Sequence, residues 1–143
     1  MILPDVNLLL YAHNEAAPGH ARAREWLEDI MTRRQPTALA WAVALGFVRL
    51  LTHRAVLAEP LEPAAALDRI DAIVRREHVQ ILEPGPRHLV ILRDLFTATG
   101  VAASLTTDTH LAALAIEYQC ELHSNDADFA RFPGLRWTNP ISG

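Results

Sequence analysis

The sequence predicts an α/β fold in which a mainly parallel central sheet is flanked by helices on both faces. Short apolar runs of strand length alternate with longer segments that carry apolar residues at helical spacing. Nine prolines punctuate these segments, and half of the 143 residues are hydrophobic, which is enough for one sizeable core. Because no repeat, low-complexity stretch or Gly/Ser-rich linker divides the chain, we expect a single domain over residues 1–143.

In the first half of the chain, a short apolar strand ends at Asp5 and a helix begins near Val6 or Asn7. Pro18 and Gly19 separate this helix from the next one. The elements that follow are an amphipathic helix, a short strand and a strongly apolar helix, predicted over 20–33, 37–40 and 41–52.

In the second half, prolines again precede a helix, and Gly100 ends a later one, because glycine is common just past a helix C-terminus. The pattern here predicts three helices and three short strands. They are a helix over 64–76, a strand over 79–82, helices over 87–98 and 106–118, a strand from Glu121 and a last strand over 135–137.

Composition excludes several classes of protein. The net charge is −4, with thirteen arginines and no lysine, so the whole surface is not that of a general polyanion binder, although arginine can still engage phosphates locally. The single Cys120 cannot form an internal disulfide and lies in an apolar context, so we assign it no catalytic role. No signal-like segment opens the sequence and no apolar run reaches membrane-spanning length, so we expect a cytoplasmic protein without membrane contact.

Three aspartates stand at predicted strand-to-helix transitions or in the first turn of a helix: Asp5, Asp108 and Asp126. Ligands of open parallel sheets bind at the carboxyl ends of the strands, so these side chains are candidates for one acidic pocket. Asp128 is an alternative to Asp126, but it lies in a turn where solvent exposure is usual. For Asp5 and Asp108, capping of a helix N-terminus is an equally good interpretation.

A cluster of carboxylates in a cleft repels itself unless a cation is present, so it implies a hard divalent ion with oxygen ligands, Mg²⁺ or alternatively Mn²⁺. The sequence has no Cys/His set at zinc spacing and no glycine-rich phosphate loop. Acidic sites that hold such ions orient water and neutralise the charge of a phosphodiester. The pattern therefore predicts a metal-dependent nuclease.

Four stretches in this order, together covering essentially the whole chain, resemble the PIN-domain toxins of the VapC type. They are residues 3–9, 46–52, 107–115 and 124–137. The resemblance implies a PIN-like three-layer sandwich and a Mg²⁺-dependent endoribonuclease that is restrained by a cognate VapB-type antitoxin. By position, Asp5 and Asp108 match the principal metal ligands and Asp126 matches a supporting acid, while Asn7 matches a small polar position near the ligand.

Further expectations concern partners. The helix over 41–52 and the alanine-rich helices offer more apolar surface than one small domain covers. A homodimer, or a groove that receives an antitoxin helix, would cover it.

Two residues of the helix over 41–52 leave alternatives open. Gly46 stands where many PIN domains carry a glutamate, and this favours the alternative of a catalytically silent PIN module that binds RNA or a protein partner. Arg49 could clamp a phosphate or neutralise Asp5, and an ordinary salt bridge is the competing interpretation.

A phosphatase with an aspartate nucleophile, of the haloacid-dehalogenase type, is a further alternative. Asn7 disfavours it, because it occupies the second acid position of Asp-x-Asp.

Overall fold

The computed structural model describes residues 1–100 and 103–142 and contains a five-stranded sheet in which every pair of neighbouring strands is parallel. The strand order across the sheet is β3-β2-β1-β4-β5. The strands are β1 (Ile2–Pro4), β2 (Thr37–Ala40), β3 (Val79–Leu82), β4 (Glu121–His123) and β5 (Arg136–Thr138).

Within these described ranges, six α-helices connect and cover the strands. They are α1 (Val6–His13), α2 (His20–Arg33), α3 (Trp41–Leu51), α4 (Pro63–Val74), α5 (His88–Thr99) and α6 (Thr106–Glu117). Crossovers between parallel strands are right-handed, so α1 to α4 lie on one face and α5 and α6 on the other. The packing agrees, since α1 contacts α2 and α3, α3 contacts α4, and α5 contacts α6. The predicted three-layer α/β sandwich is therefore confirmed.

The core forms where the sheet meets both helical layers. β2 is buried at every position, and Leu3 and Leu122 of the central strands are fully buried, as expected for strands covered on both faces. The alanines of α6 let this helix approach the sheet closely, and Ala112, Ala113 and Ala115 are fully buried. Cys120 is also buried, and burial raises the pKa of its thiol, which fits a structural rather than a reactive cysteine.

The predicted elements differ from the observed ones only at their ends, where helices fray and assignments shift by a residue or two. The fourth helix begins at Pro63 and ends at Val74, the fifth begins at His88, and the last strand lies one residue later than predicted. The sheet is wholly rather than mainly parallel. Among residues 1–100 and 103–142, no helix is long and apolar enough to cross a membrane.

The strand order sets the place of the site. From β1 the chain moves outward to β2 and β3, then returns across the sheet to β4 and β5, so β1 and β4 flank the point where the direction of winding reverses. Pro4 is paired with His123, and the Asp5 amide donates to the His123 carbonyl at 2.8 Å. The next residues, Asp5 and Ser124, therefore leave the sheet side by side.

Candidate metal centre

Asp5 is both a helix cap and a member of the candidate site. Its Oδ1 accepts a hydrogen bond from the Val6 amide at 2.7 Å, and its Oδ2 accepts one from the Ser124 hydroxyl at 2.7 Å. The side chain is buried, and burial raises the pKa of this carboxyl, with a further increase from the charge of Asp126. The two hydrogen bonds oppose that shift because they favour the carboxylate form. The two interpretations of Asp5 thus coexist.

Ser124 joins three of the candidate residues and is the member of the site that the sequence pattern did not single out. Besides donating to Asp5, its Oγ accepts from Asn7 Nδ2 at 3.1 Å and from the Asp126 amide at 3.0 Å. The residue is fully buried. The available signal was its position directly after a strand, two residues before a candidate acid. Because Asn7 and Asp126 meet at one hydroxyl, the structure brings both close to Asp5.

Asp108 lies in the first turn of α6 but does not cap it. The N-cap position is Leu105, and no side chain caps this helix, so the capping interpretation of Asp108 is wrong. Within residues 1–100 and 103–142, no hydrogen bond or ion pair holds its carboxylate. Partial burial raises the pKa of Asp108 to about 6, with further contributions from the negative charges of Asp5, Asp126 and Asp128. The three other carboxylates are therefore close enough to repel it.

Asp126 and Asp128 have separate local partners. Asp126 caps the short 3₁₀ helix Ala127–Arg131 by accepting from the Asp128 amide at 2.9 Å. Asp128 forms an ion pair with Arg131 at 3.0 Å, with both side chains about half exposed, as expected for a turn residue. Asp126 thus contributes its charge next to Asp5, whereas Asp128 pairs with its own arginine and makes the last of the three charge contributions at Asp108.

Asp5 and Asp108 line one cleft of about 220 Å³, together with Thr107, Arg49 and the apolar side chains of α1, α3 and α6. Asp126 is not among the described residues that line it. Arg49 forms no ion pair within the part of the chain that the structure describes, so the salt-bridge interpretation is wrong.

Gly46 sits on α3 between Ala42 and Arg49, both of which line the cleft. A Cβ atom at Gly46 would lie 3.6 Å from Val6 Cγ2, which is ordinary contact. A Cβ atom therefore fits at this position of α3 without a clash.

The donor set is compatible with a small hard cation. Among residues 1–100 and 103–142, no group of three or more aspartates, glutamates, histidines or cysteines is close enough to hold a metal ion. Two carboxylates nevertheless line the cleft, and Mg²⁺ commonly binds through one or two carboxylates while it keeps several waters. The hydrogen-bonded oxygens of Asp5 retain lone pairs. Burial and, after it, repulsion by the other carboxylates raise the pKa of Asp108, and a bound cation would oppose both effects.

The match to a known family extends over almost the whole sequence. The model of the PIN domain matches residues 2–135. This chain belongs to the PIN-domain family. Two curated relatives place it in the VapC branch, both from Mycobacterium tuberculosis. Ribonuclease VapC33 is 44% identical over 141 residues, covering 99% of each chain, and Ribonuclease VapC37 is 36% identical over 140 residues, covering 98% of this chain and 97% of the relative.

Solved structures share the PIN fold at low sequence identity. A VapBC2 complex from Rickettsia felis, bound to a DNA fragment of its promoter, superposes with a TM-score of 0.71 at 18% identity, covering 97% of this chain and 98% of that one. VapC20 of Mycobacterium tuberculosis, described as a toxin that cleaves the sarcin-ricin loop, gives 0.66 at 17% identity, covering 95% and 99%. At these identities the likeness concerns the fold alone.

Proposed function

We propose that this PIN domain is a Mg²⁺-dependent endoribonuclease, with Mn²⁺ as the alternative ion, and that it is the toxin of a toxin–antitoxin pair acting in the cytoplasm. The observation that carries the proposal is the pair Asp5 and Asp108, which line one cleft and form no ion pair with any described residue. The VapC relatives are named ribonucleases, and these names support the choice of RNA as substrate.

Each residue of the site has a part in this proposal. Asp5 and Asp108 would hold the cation, and Asp126 would add negative potential beside them. Ser124 fixes the orientation of the Asp5 carboxylate, and Asn7 in turn hydrogen-bonds Ser124. Arg49, which lines the cleft, would bind a phosphate oxygen of the RNA. When bound, the ion would neutralise phosphate charge and lower the pKa of a water molecule.

Two exposed apolar faces are available for partners. On α3, Trp41 and Leu45 are about half or more exposed and lie beside the cleft residue Ala42; on α5, Leu89 and Val90 are more than 60% exposed. We propose a cognate VapB-type antitoxin and a second copy of the chain as their occupants, supported by the VapBC complexes among the structural relatives. Leu45→Asp and Leu89→Asp should weaken these contacts, as measured by co-purification with the antitoxin and by sedimentation of the toxin alone.

The direct test is incubation of the purified chain with single-stranded RNA and MgCl₂, followed by analysis of the fragments. We expect cleavage that EDTA abolishes and that Asp5→Asn and Asp108→Asn both lose. Asp71→Asn is the matched control, because Asp71 is a half-exposed carboxylate that pairs with Arg75 and is not among the described residues that line the cleft. Undiminished cleavage by both cleft variants would refute the role of the acid pair.

The catalytically silent module remains the second candidate, and Gly46 is the observation that favours it, since α3 contributes no acid to the cleft. The same assay separates the two functions. A folded wild-type chain that binds RNA, and leaves every RNA tested intact with Mg²⁺ or Mn²⁺, would be the silent module.

A further inference from the structure

A second cavity, of about 590 Å³, lies between the α1–α2 connection and the C-terminal segment. Its described lining residues are Tyr11, Pro18, Gly19, Arg22, Asn125 and Ile141. They include an aromatic ring, a guanidinium group and an amide but no carboxylate. The volume is within the range of small-molecule sites, roughly 300–1,000 Å³. The cavity on the other side of Arg22 is different, because Glu25 and Asp29 line it and would repel an anion.

A chain of hydrogen bonds connects this cavity to the acid cleft. Asn7 Nδ2 donates to the same Ser124 hydroxyl that holds Asp5. Asn7 Oδ1 accepts from the Asn125 backbone amide at 3.3 Å, and the side-chain Oδ1 of Asn125 accepts from Asn139 Nδ2 at 3.0 Å. The backbone of Asn125, which lines the cavity, is therefore tied to the residues of the cleft, while Asn139 orients its side chain.

Helix α1 also links the acid cleft to this cavity, through Asn7 and Tyr11. Asn7 and Tyr11 are four residues apart and lie on one face of the helix, separated by about one turn, roughly 5.4 Å. Tyr11 is thus one helical turn farther from the cleft than Asn7. This spacing suits a single-stranded polynucleotide, in which one nucleotide contacts the cleft and the next one contacts the cavity.

The cavity is held in shape by contacts of its own walls. The Tyr11 carbonyl hydrogen-bonds to the His20 ring at 2.8 Å, and Arg22 Nη1 donates to the Ile141 carbonyl at 3.1 Å. Gly19 allows close packing of the walls, because a Cβ atom there would lie 3.2 Å from Ile141 Cδ1 and 3.6 Å from Tyr11 Cδ2.

We propose that this cavity, which we call the Tyr11 pocket, binds a nucleotide of the RNA strand adjacent to the bond that is cut. The inference rests on the proposed ribonuclease function, and it assigns the substrate contacts that lie beyond the acid cleft. Tyr11 stacks on the base, Asn125 hydrogen-bonds the base edge and Arg22 contacts the phosphate. Aromatic stacking and arginine contacts are the usual means of holding single-stranded RNA.

The kinetic test compares Tyr11→Ala, Tyr11→Phe and Arg22→Ala on a single-stranded RNA oligomer. We expect Tyr11→Ala to raise KM about tenfold, with kcat little changed, since stacking is worth a factor of this order. Tyr11→Phe retains the ring and should behave like the wild type. Arg22→Ala should raise KM about fivefold, consistent with loss of one charged contact. Arg24→Ala is the matched control, because Arg24 is an exposed arginine on α2 that pairs with Glu28.

A binding measurement separates failure of this inference from failure of the proposed function. The probe is a fluorescein-labelled five-nucleotide single-stranded RNA, titrated with the full chain in EDTA and followed by anisotropy. Weaker binding by Tyr11→Ala and Arg22→Ala supports the Tyr11 pocket even if the wild type cleaves nothing. Folded variants that bind and cleave like the wild type, with unchanged KM and fragment pattern, overturn it. Circular dichroism establishes folding, and Arg22→Ala tests the pocket if Tyr11→Ala does not fold.

Discussion

Helix α6 carries a carboxylate near each end, and the two have opposite environments. Glu117, at the C-terminal end, has a side chain only 7% exposed, and its oxygens accept from the Gly85 amide at 2.8 Å and the Arg87 amide at 2.9 Å. Asp108, in the first turn, accepts no hydrogen bond from any described residue and faces the charges of other aspartates. One carboxylate is surrounded by donors and the other by like charges.

The difference separates a structural acid from a functional one. Glu117 fixes the turn that precedes α5, and a Cβ atom at Gly85 would lie only 2.5 Å from Glu117 Oε2, so backbone and carboxylate fit closely. Asp108 contributes no such contact, and its ionisation opposes folding because burial and repulsion both disfavour the charge. An acid that costs stability while lining a cleft is typical of a functional site.

The largest expected effect is on activity. Asp108→Asn should reduce RNA cleavage by at least about a hundredfold, because it removes one of the two carboxylates proposed to hold the ion. Glu117→Gln should retain cleavage within about threefold under conditions where it is folded, since its hydrogen bonds are to backbone amides and it does not line the cleft. Initial rates at saturating MgCl₂ measure both. Equal losses of activity in the two variants would contradict the distinction between a functional Asp108 and a structural Glu117.

The second effect is on stability, and here we expect the loss from the substitution of Glu117 rather than of Asp108. Glu117→Gln should lower the free energy of unfolding by about 2 kcal/mol, because it weakens two charge-assisted hydrogen bonds at a buried position. Urea denaturation without divalent ions gives the value, with Glu28→Gln as a control at an exposed, paired glutamate. An unchanged unfolding midpoint for Glu117→Gln would show that the carboxylate does not stabilise the turn.

The third effect concerns pH. The pKa of Asp108 is raised in the folded chain to about 6 from 3.8, so its neutral form favours folding. This contribution is complete below about pH 3.8 and is lost as the pH rises through about 6. Without divalent ions, Asp108→Asn should therefore become more stable than the wild type between pH 4 and pH 7. The difference should reach about 1 kcal/mol, since solvent screens a group that is partly exposed. Paired denaturation curves at these two pH values measure this difference in the free energy of unfolding. A difference that is the same at both pH values would contradict the raised pKa of Asp108.

The smallest effect follows from placing another acid in the cleft. Gly46→Glu should tighten Mg²⁺ binding by about fivefold, because a Cβ atom fits there without a clash and an added carboxylate raises the negative charge of the site. Gly46→Gln is the matched control for the change in size. Thermal denaturation over a series of MgCl₂ concentrations gives the affinities. If the glutamate pairs with Arg49 instead, the two variants will have the same affinity for Mg²⁺.

Most of the fold could be predicted because local patterns determine it. Alternation of apolar strands and amphipathic helices indicated a parallel sheet, and β2 and β3 were predicted with their observed bounds. The ends of α4 and of β5 shifted by one or two residues, because helix ends fray and strand ends depend on which partner continues the pairing.

The site was only partly predictable for a different reason. The candidate acids were found because they follow strands or open a helix, but their surroundings depend on residues far away in the chain. Asp5 meets Ser124 across 119 positions, and no local pattern reports a hydrogen bond of that separation. Among the described residues, Asp108 does not cap α6 and Arg49 forms no ion pair, and the sequence pattern predicted neither result.

By itself, the sequence determined the class of fold, the order of its elements and which carboxylates stand at the ends of strands and helices, because hydrophobic spacing and turn residues act over short distances. The tertiary structure decided which of those carboxylates meet. Strand order and register bring Asp5 beside Ser124, and the packing of α6 places Asp108 in the same cleft as Asp5. Electrostatic repulsion and hydrogen bonding act only across these assembled distances, so the chemical character of each acid emerges with the packing of the sheet.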